Sequence, residues 1–176
     1  MTEPEKEMET CEPKIQIIEN RKEFQNKRIP ELKEEFKLEK IVVEKNIFEY
    51  DGIVTIEPIE FSAKCEHHLV GIQGRVFFAY MPNELIIGLS QAPRIIEHFL
   101  NVTEEVIQEE VTKKIADFFE KNVQPKGLWI VIKARHDCMC SRGVRQRNAK
   151  ATTSVIRGVF HKQDVRDETK FLWLLK

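Results

Sequence analysis

Apolar residues are sparse and irregular over the first forty positions, then gather into short periodic runs. Ile41-Val42-Val43 and Ile53-Val54-Thr55-Ile56 are β-branched runs with Asp51-Gly52, a turn signal, between them, so two strands that pair are expected. Gly74-Arg75-Val76-Phe77-Phe78-Ala79-Tyr80 predicts a further strand, closed by Pro82-Asn83. The spacing then becomes helical. Ile95, Ile96, Phe99 and Leu100 make one apolar stripe, and Val106, Ile107, Val111, Ile115, Phe118 and Phe119 make a longer one. Both stripes are core faces, not cofactor contacts. After Pro125-Lys126-Gly127, the run Leu128-Trp129-Ile130-Val131-Ile132 predicts a strand leading directly into His136 and Cys138. A strand near 151–160 and a short helix near 168–175 complete an α+β pattern with no internal repeat.

The segment before residue 41 is of another kind. Residues 1–14 are rich in Glu, Lys and Pro and hold too little apolar surface to offset the entropy of ordering. Residues 15–40 are heavily charged, with Phe24, Ile29, Leu32, Phe36 and Leu38 irregularly placed and Pro30 interrupting; a short helix near 31–38 is expected. The organisation read from this is a charged arm over 1–40, partly disordered, and one folded domain over 41–176. At 176 residues the chain fits one such domain and is long enough to bury a full core. The formal charge of -1 gives no global attraction to nucleic acid or membrane. No apolar run approaches the roughly 20 residues that span a bilayer. The start Met1-Thr2-Glu3-Pro4-Glu5-Lys6 lacks a basic and apolar leader, so a reducing cytoplasm is the expected compartment.

The chemistry gathers in two windows, Cys65-Glu66-His67-His68 and His136-Asp137-Cys138. Taken singly, a cysteine is usually a small buried apolar residue and a histidine is usually satisfied in a core or on a surface. The chain has four cysteines and five histidines, and five of these nine fall in the two windows, which favours a shared role. A Cys65–Cys138 disulfide is the competing explanation, and the expected reducing compartment argues against it. Cys65-x-x-His68 has the spacing of a metal-ligating turn, and Cys138 can supply a third ligand. Three ligands leave a position open for water, as a catalytic zinc requires. His67 and His136 then remain for proton transfer. Because side chains alternate across a strand, His136 and Cys138 at a spacing of two are expected to face the same side, which would set the metal ligand and a free imidazole together.

The motifs Cys65-Glu66-His67-His68-Leu69-Val70, Gly88-Leu89-Ser90 with Arg94-Ile95-Ile96, and Gln108-Glu109 with Thr112 occur in order along the chain. His136-Asp137-Cys138-Met139-Cys140-Ser141-Arg142-Gly143 and Thr152-Thr153-Ser154 with Gly158-Val159-Phe160 follow. In these residues the chain, over roughly 50–175, resembles the GTP cyclohydrolase I family. The resemblance implies a tunnelling fold, a four-stranded antiparallel sheet with two helices on one face, whose sheets close into rings that stack as a homodecamer with active sites between subunits. It implies Zn2+ held by Cys65, His68 and Cys138. Gln108 and Glu109 correspond to the residues that hold the pyrimidine edge of guanine. Ser90, Arg94 and Arg142 correspond to contacts with triphosphate and ribose, and His67, His136 and Ser90 to the groups that move protons. The implied reaction opens the imidazole ring of GTP to give 7,8-dihydroneopterin triphosphate and formate, the first step toward folate, biopterin or deazaguanine.

Two features depart from the family pattern. No Thr-Pro-x-Arg segment occurs in residues 1–50, and Ser90 is followed by Gln91 where a lysine is usual. Arg145, Arg147 or Lys150 could replace the missing cations. Two other readings therefore stand beside the first. One is a relative of the same fold acting on another purine or pterin nucleotide. The other is a zinc-stabilised protein that contacts nucleic acid through Arg142, Arg145, Arg147, Lys150 and Arg157, which lack the interleaved aromatics that stack on bases.

Overall fold

A computed structural model describes residues 43–141 and 144–174. The arm over 1–40, its helix near 31–38, Ile41, Val42 and Arg142 lie outside the described residues. The elements are β1 (Val43–Lys45), β2 (Val54–Cys65), β3 (Gly71–Met81), β4 (Leu85–Ile87), α1 (Gln91–Phe99), β5 (Glu105–Val106) and α2 (Gln108–Val123). They continue with β6 (Gly127–His136), α3 (Asp137–Cys140), β7 (Ala151–Gly158), a 3-10 turn (Val159–His161) and α4 (Gln163–Leu174).

The main sheet has the order β5-β2-β3-β6-β7. Its four long strands are antiparallel, and β5 adds in parallel only against Lys64 and Cys65. The expected pairing of residues 41–43 with 53–56 is not made by Val43, the one of those three within the described residues. Val43 instead lies opposite Ile87 in a separate β1–β4 ribbon, while Val54 faces Tyr80 of β3. The connection is not a tight hairpin. Asn46 folds it back on itself: its Oδ1 accepts from Tyr50 N at 3.0 Å, and its Nδ2 donates to Tyr50 O at 2.8 Å and to Asn83 O at 3.0 Å. That last bond fastens the loop to the β3–β4 turn and carries β1 toward β4.

β2 runs well beyond the segment that β-branching marked. Pro58, which has no N–H to give the ladder, obscures the continuity, and the register shifts between Ile56 and Ile59. Past that shift Phe61, Ala63 and Cys65 alternate into the core while Glu60 and Ser62 face out. The second helix also starts later than its stripe implied, because Val106 belongs to β5 and Ile107 is the residue that precedes the helix. The last helix begins at Gln163, five residues ahead of the expected 168.

Side chains of one parity on the sheet, among them Ile72, Val76, Phe78, Leu128, Ile130 and Ile132, meet Ile95 and Ile96 of α1 and Val111, Ile115 and Phe119 of α2. Phe78 and Phe119 stack with centroids 4.4 Å apart at the centre of this layer. The opposite parity, Ala79, Trp129 and Val131, is covered by α4, whose Trp173 ring lies 4.7 Å from Trp129 and 5.9 Å from Phe77. The described residues thus form a mixed α+β fold with α1 and α2 on one face of the sheet and α4 on the other. None of the helices among them is long and apolar enough to cross a membrane.

Candidate metal centre and its histidine

The two chemical windows meet at one end of the sheet because β2, β3 and β6 are neighbours there. Cys65 is the last residue of β2, and the chain turns back into β3 within five residues. Leu69 N and His68 N both donate to Cys65 O, at 2.7 and 3.3 Å, and Cys65 N donates to Val70 O at 2.8 Å. Leu69 takes a positive φ of 52° to close this loop. β5 braces its base, with Glu66 N donating to Val106 O at 3.2 Å. The result sets Cys65 Sγ 3.7 Å from His68 Nδ1.

The third member arrives from β6. His136 lies opposite Ile72 at the start of β3, and strand conformation stops there. Cys138 is therefore not on a strand, contrary to the alternation expected from its spacing. It sits on the single helical turn α3, closed by Ser141 N donating to Asp137 O at 2.9 Å. That turn swings the thiol toward the β2–β3 loop, so the ligand atoms of Cys65, His68 and Cys138 all lie within 4.8 Å of one another. Cys65 is buried, Cys138 half-buried and His68 exposed, which leaves the group open on one side.

Two thiols and an imidazole at this separation suit a metal ion. Burial pushes the Cys138 thiol above its ordinary pKa, and the neighbouring Cys65 pushes it further. A bound cation reverses that preference by stabilising the thiolates. Cys140, also buried, is outside the group; its thiol donates to Ala149 O at 3.6 Å.

His136, two residues ahead of Cys138 at the end of β6, is half-buried, and its Nε2 lies 2.7 Å from Gln108 Oε1. Burial lowers its pKa below the ordinary imidazole value, partly opposed by the Glu109 carboxylate. Gln108 and Glu109 open α2, the first buried and the second exposed. His67 is exposed in the β2–β3 loop, its ring 6.2 Å from that of His68. Ser90 and Arg94 are on a different element, Ser90 capping the start of α1 and Arg94 in its first turn, both exposed. Arg145, Arg147 and Lys150 are exposed on the connection from α3 to β7, which Gln146 N fastens to Met139 O at 2.9 Å.

Sequence reasoning gave no role to Thr112 and Thr153. Thr112 is 1% exposed, and its hydroxyl lies 2.7 Å from that of Thr153 behind the Gln108 amide. The signal was a polar residue between Val111 and Ile115 on the apolar stripe of a helix. A cavity of about 770 Å³ lies elsewhere, with Arg75, Lys133, Arg135 and Lys150 among its lining; Cys65, His68, Cys138 and His136 do not line it.

A profile of the GTP cyclohydrolase I family matches residues 18–176. The chain belongs to this family. GTP cyclohydrolase 1 of Campylobacter jejuni subsp. jejuni serotype O:23/36 is 43% identical over 119 residues, 68% of this chain and 62% of that protein. The chain thus spans just over three-fifths of the length of that relative. GTP cyclohydrolase 1 of Aquifex aeolicus is 42% identical over 127 residues, 72% of this chain and 67% of that one. The Rattus norvegicus protein of the same name is 39% identical over 128 residues, 73% of this chain and 52% of its own length. Among solved structures, the archaeosine synthase QueF-Like in the apo form superposes with a TM-score of 0.49 at 11% identity, covering 60% of this chain and 93% of that one. Within the GTP cyclohydrolase I family, then, this chain carries a Cys-His-Cys group beside a half-buried histidine.

Proposed function

We propose that this member of the family is a zinc-dependent GTP cyclohydrolase I, opening the guanine imidazole ring of GTP and yielding 7,8-dihydroneopterin triphosphate and formate. The observation that carries the reading is the Cys65, His68 and Cys138 group, with the half-buried His136 two residues ahead of Cys138. Two thiolates and one imidazole are a donor set suited to zinc, with a position left for water. Zinc there supplies Lewis acidity and makes water a nucleophile near neutral pH.

The chain's own residues do the rest. His136 gives a proton to N7 of the base, which makes C8 electrophilic; a burial-lowered pKa makes it a stronger acid in that step. Water adds at C8 and the C8–N9 bond breaks, leaving a formamide whose hydrolysis by a second water releases formate. The ribose then opens, rearranges and closes on the freed amine, with Ser90 and His67 moving protons. Glu109, exposed at the start of α2, accepts hydrogen bonds from the guanine N–H groups, whereas Gln108, which the resemblance also sets against the base, is buried with its amide oxygen turned to His136. Arg94 and Arg142 contact the phosphates and ribose.

A tunnelling-fold ring, stacked into a homodecamer with active sites between subunits, is part of the proposal. Two features support it. Among the described residues β7 has a strand partner on one side only and β5 covers β2 only at Lys64 and Cys65, so within them both margins of the sheet offer free edges. Ile47 and Phe48 are 74% and 88% exposed, apolar surface that a neighbouring subunit would cover.

One observation keeps a second substrate in view. The side-chain oxygen of Gln91, where the family usually has lysine, is buried without a partner. A nucleotide with fewer phosphates fits that loss of charge. The nucleic-acid reading loses support because Arg157 is engaged by Asp117 at 3.3 Å and Glu120 at 3.6 Å. Incubating the purified zinc-loaded protein with GTP tests the proposal. Formate and, after oxidation, a fluorescent pterin are expected in equal amounts, and release of neither overturns it.

A further inference from the structure

The polar groups behind His136 form a chain in which each hydrogen has one allowed place. Gln108 is 4% exposed, and the two hydrogens of its Nε2 meet Ile132 O at 3.1 Å and Thr153 Oγ1 at 3.1 Å, with Ala151 O at 3.4 Å sharing one of them. Two of those acceptors are backbone carbonyls, which cannot donate, so reversing the amide would set oxygen against oxygen. Thr112 Oγ1, 2.6 Å from the Gln108 backbone carbonyl, must donate to it. It therefore accepts from Thr153 Oγ1 at 2.7 Å, which frees Thr153 to accept from Gln108 Nε2. The amide oxygen is left facing His136 Nε2 at 2.7 Å, and an oxygen without hydrogen can only accept.

We infer that Gln108 is a positioning residue that fixes His136 in the form protonated at Nε2, with Thr153 and Thr112 holding the amide in its one workable orientation. Nδ1 is then the ring nitrogen that takes up a proton and, from the imidazolium, passes it to N7 of the substrate, while Nε2–H stays on Gln108. The catalytic consequence rests on the proposed role of His136, whereas the protonation pattern itself does not. This differs from the guanine contact that the resemblance implies for Gln108. A glutamine that only touched the base would leave the imidazole free to sample both neutral forms.

The test uses the full-length, zinc-loaded protein with 15N-labelled histidine, read by two-bond 1H–15N correlation spectra at a pH where the ring is neutral. His136→Ala assigns the signals. Wild-type His136 is expected entirely in the Nε2–H form, with a slowly exchanging ring proton. In Gln108→Met that proton exchanges rapidly and the two nitrogens move toward the averaged shifts of a mixture. Thr153→Val moves them the same way by a smaller amount, and Thr153→Ser restores the wild-type spectrum. Should Gln108→Met fail to fold, the Thr153 pair carries the test. An Nδ1–H or averaged ring in the wild type overturns the inference, as does a Thr153→Val spectrum identical to wild type. A fixed Nε2–H ring in a protein that releases no formate from GTP would instead overturn the proposed function and leave the inference standing.

Discussion

Cys65 Sγ lies 3.7 Å from His68 Nδ1 across a loop whose two inner N–H groups both point at the Cys65 carbonyl. The backbone of this loop therefore shapes two of the three ligands. Cys138 is the member whose approach depends on a separate element, the single turn α3.

Cys138→Ala is accordingly expected to fold but to lose its zinc, since two ligands from one short loop leave the ion with too few donors. Elemental analysis should give one zinc per chain in the wild type and well under half that in the variant. Full occupancy with undiminished turnover would sink the assignment.

Replacing His136 or His67 by alanine should keep the zinc and lower turnover by at least about a hundredfold, the usual scale for a positioned proton donor. Metal content and single-turnover rates, measured on the same samples, separate this from a folding defect. A variant turning over normally marks its histidine as structural.

How much of this could be read from the sequence differs by level. The helical stripes and the strand before His136 were legible because their periodicity is local, and the cysteines and histidines because their residue types are scarce. The partner of Val43 was not legible, since it depends on the Asn46 side chain reaching Asn83, a bond between distant positions. Nor was α3, because spacing two is compatible with a strand or a turn until the end of the ladder is known. The roles of Thr112 and Thr153 needed both the register of β6 with β7 and the face of α2, neither of which any single window contains.

Cys140→Ser should keep its zinc. The thiol is buried and donates to Ala149 O, so the change should cost about 1 kcal/mol through that site, the scale of one hydrogen bond in a fitted environment. Urea unfolding alongside metal analysis checks both parts; loss of zinc in this variant would place Cys140 among the ligands.

Phe119→Ala removes a ring that is 1% exposed and stacked on Phe78 between α2 and the sheet. The expected destabilisation is about 3 to 5 kcal/mol, from lost transfer energy plus the cavity left behind. Denaturant midpoints measure it, and a loss below about 1 kcal/mol would mean that the layer repacks.

The last prediction concerns the triphosphate. A charge-assisted phosphate contact contributes roughly 1.5 to 3 kcal/mol, so the absence of lysine at Gln91 should weaken binding by about one to two orders of magnitude unless another cation compensates. Arg145, Arg147 and Lys150 are exposed on the segment that leaves α3, the element carrying Cys138, which puts cations on a chain tethered to the metal centre. Changing each to alanine in turn should raise the Michaelis constant for GTP about tenfold or more in at least one case, with a smaller effect on turnover, the signature of lost ground-state binding. The same variant should narrow the advantage of GTP over GDP and GMP, because fewer charges would then meet the terminal phosphates. A strong GTP preference that survives all three substitutions would show that the compensating charge comes from elsewhere.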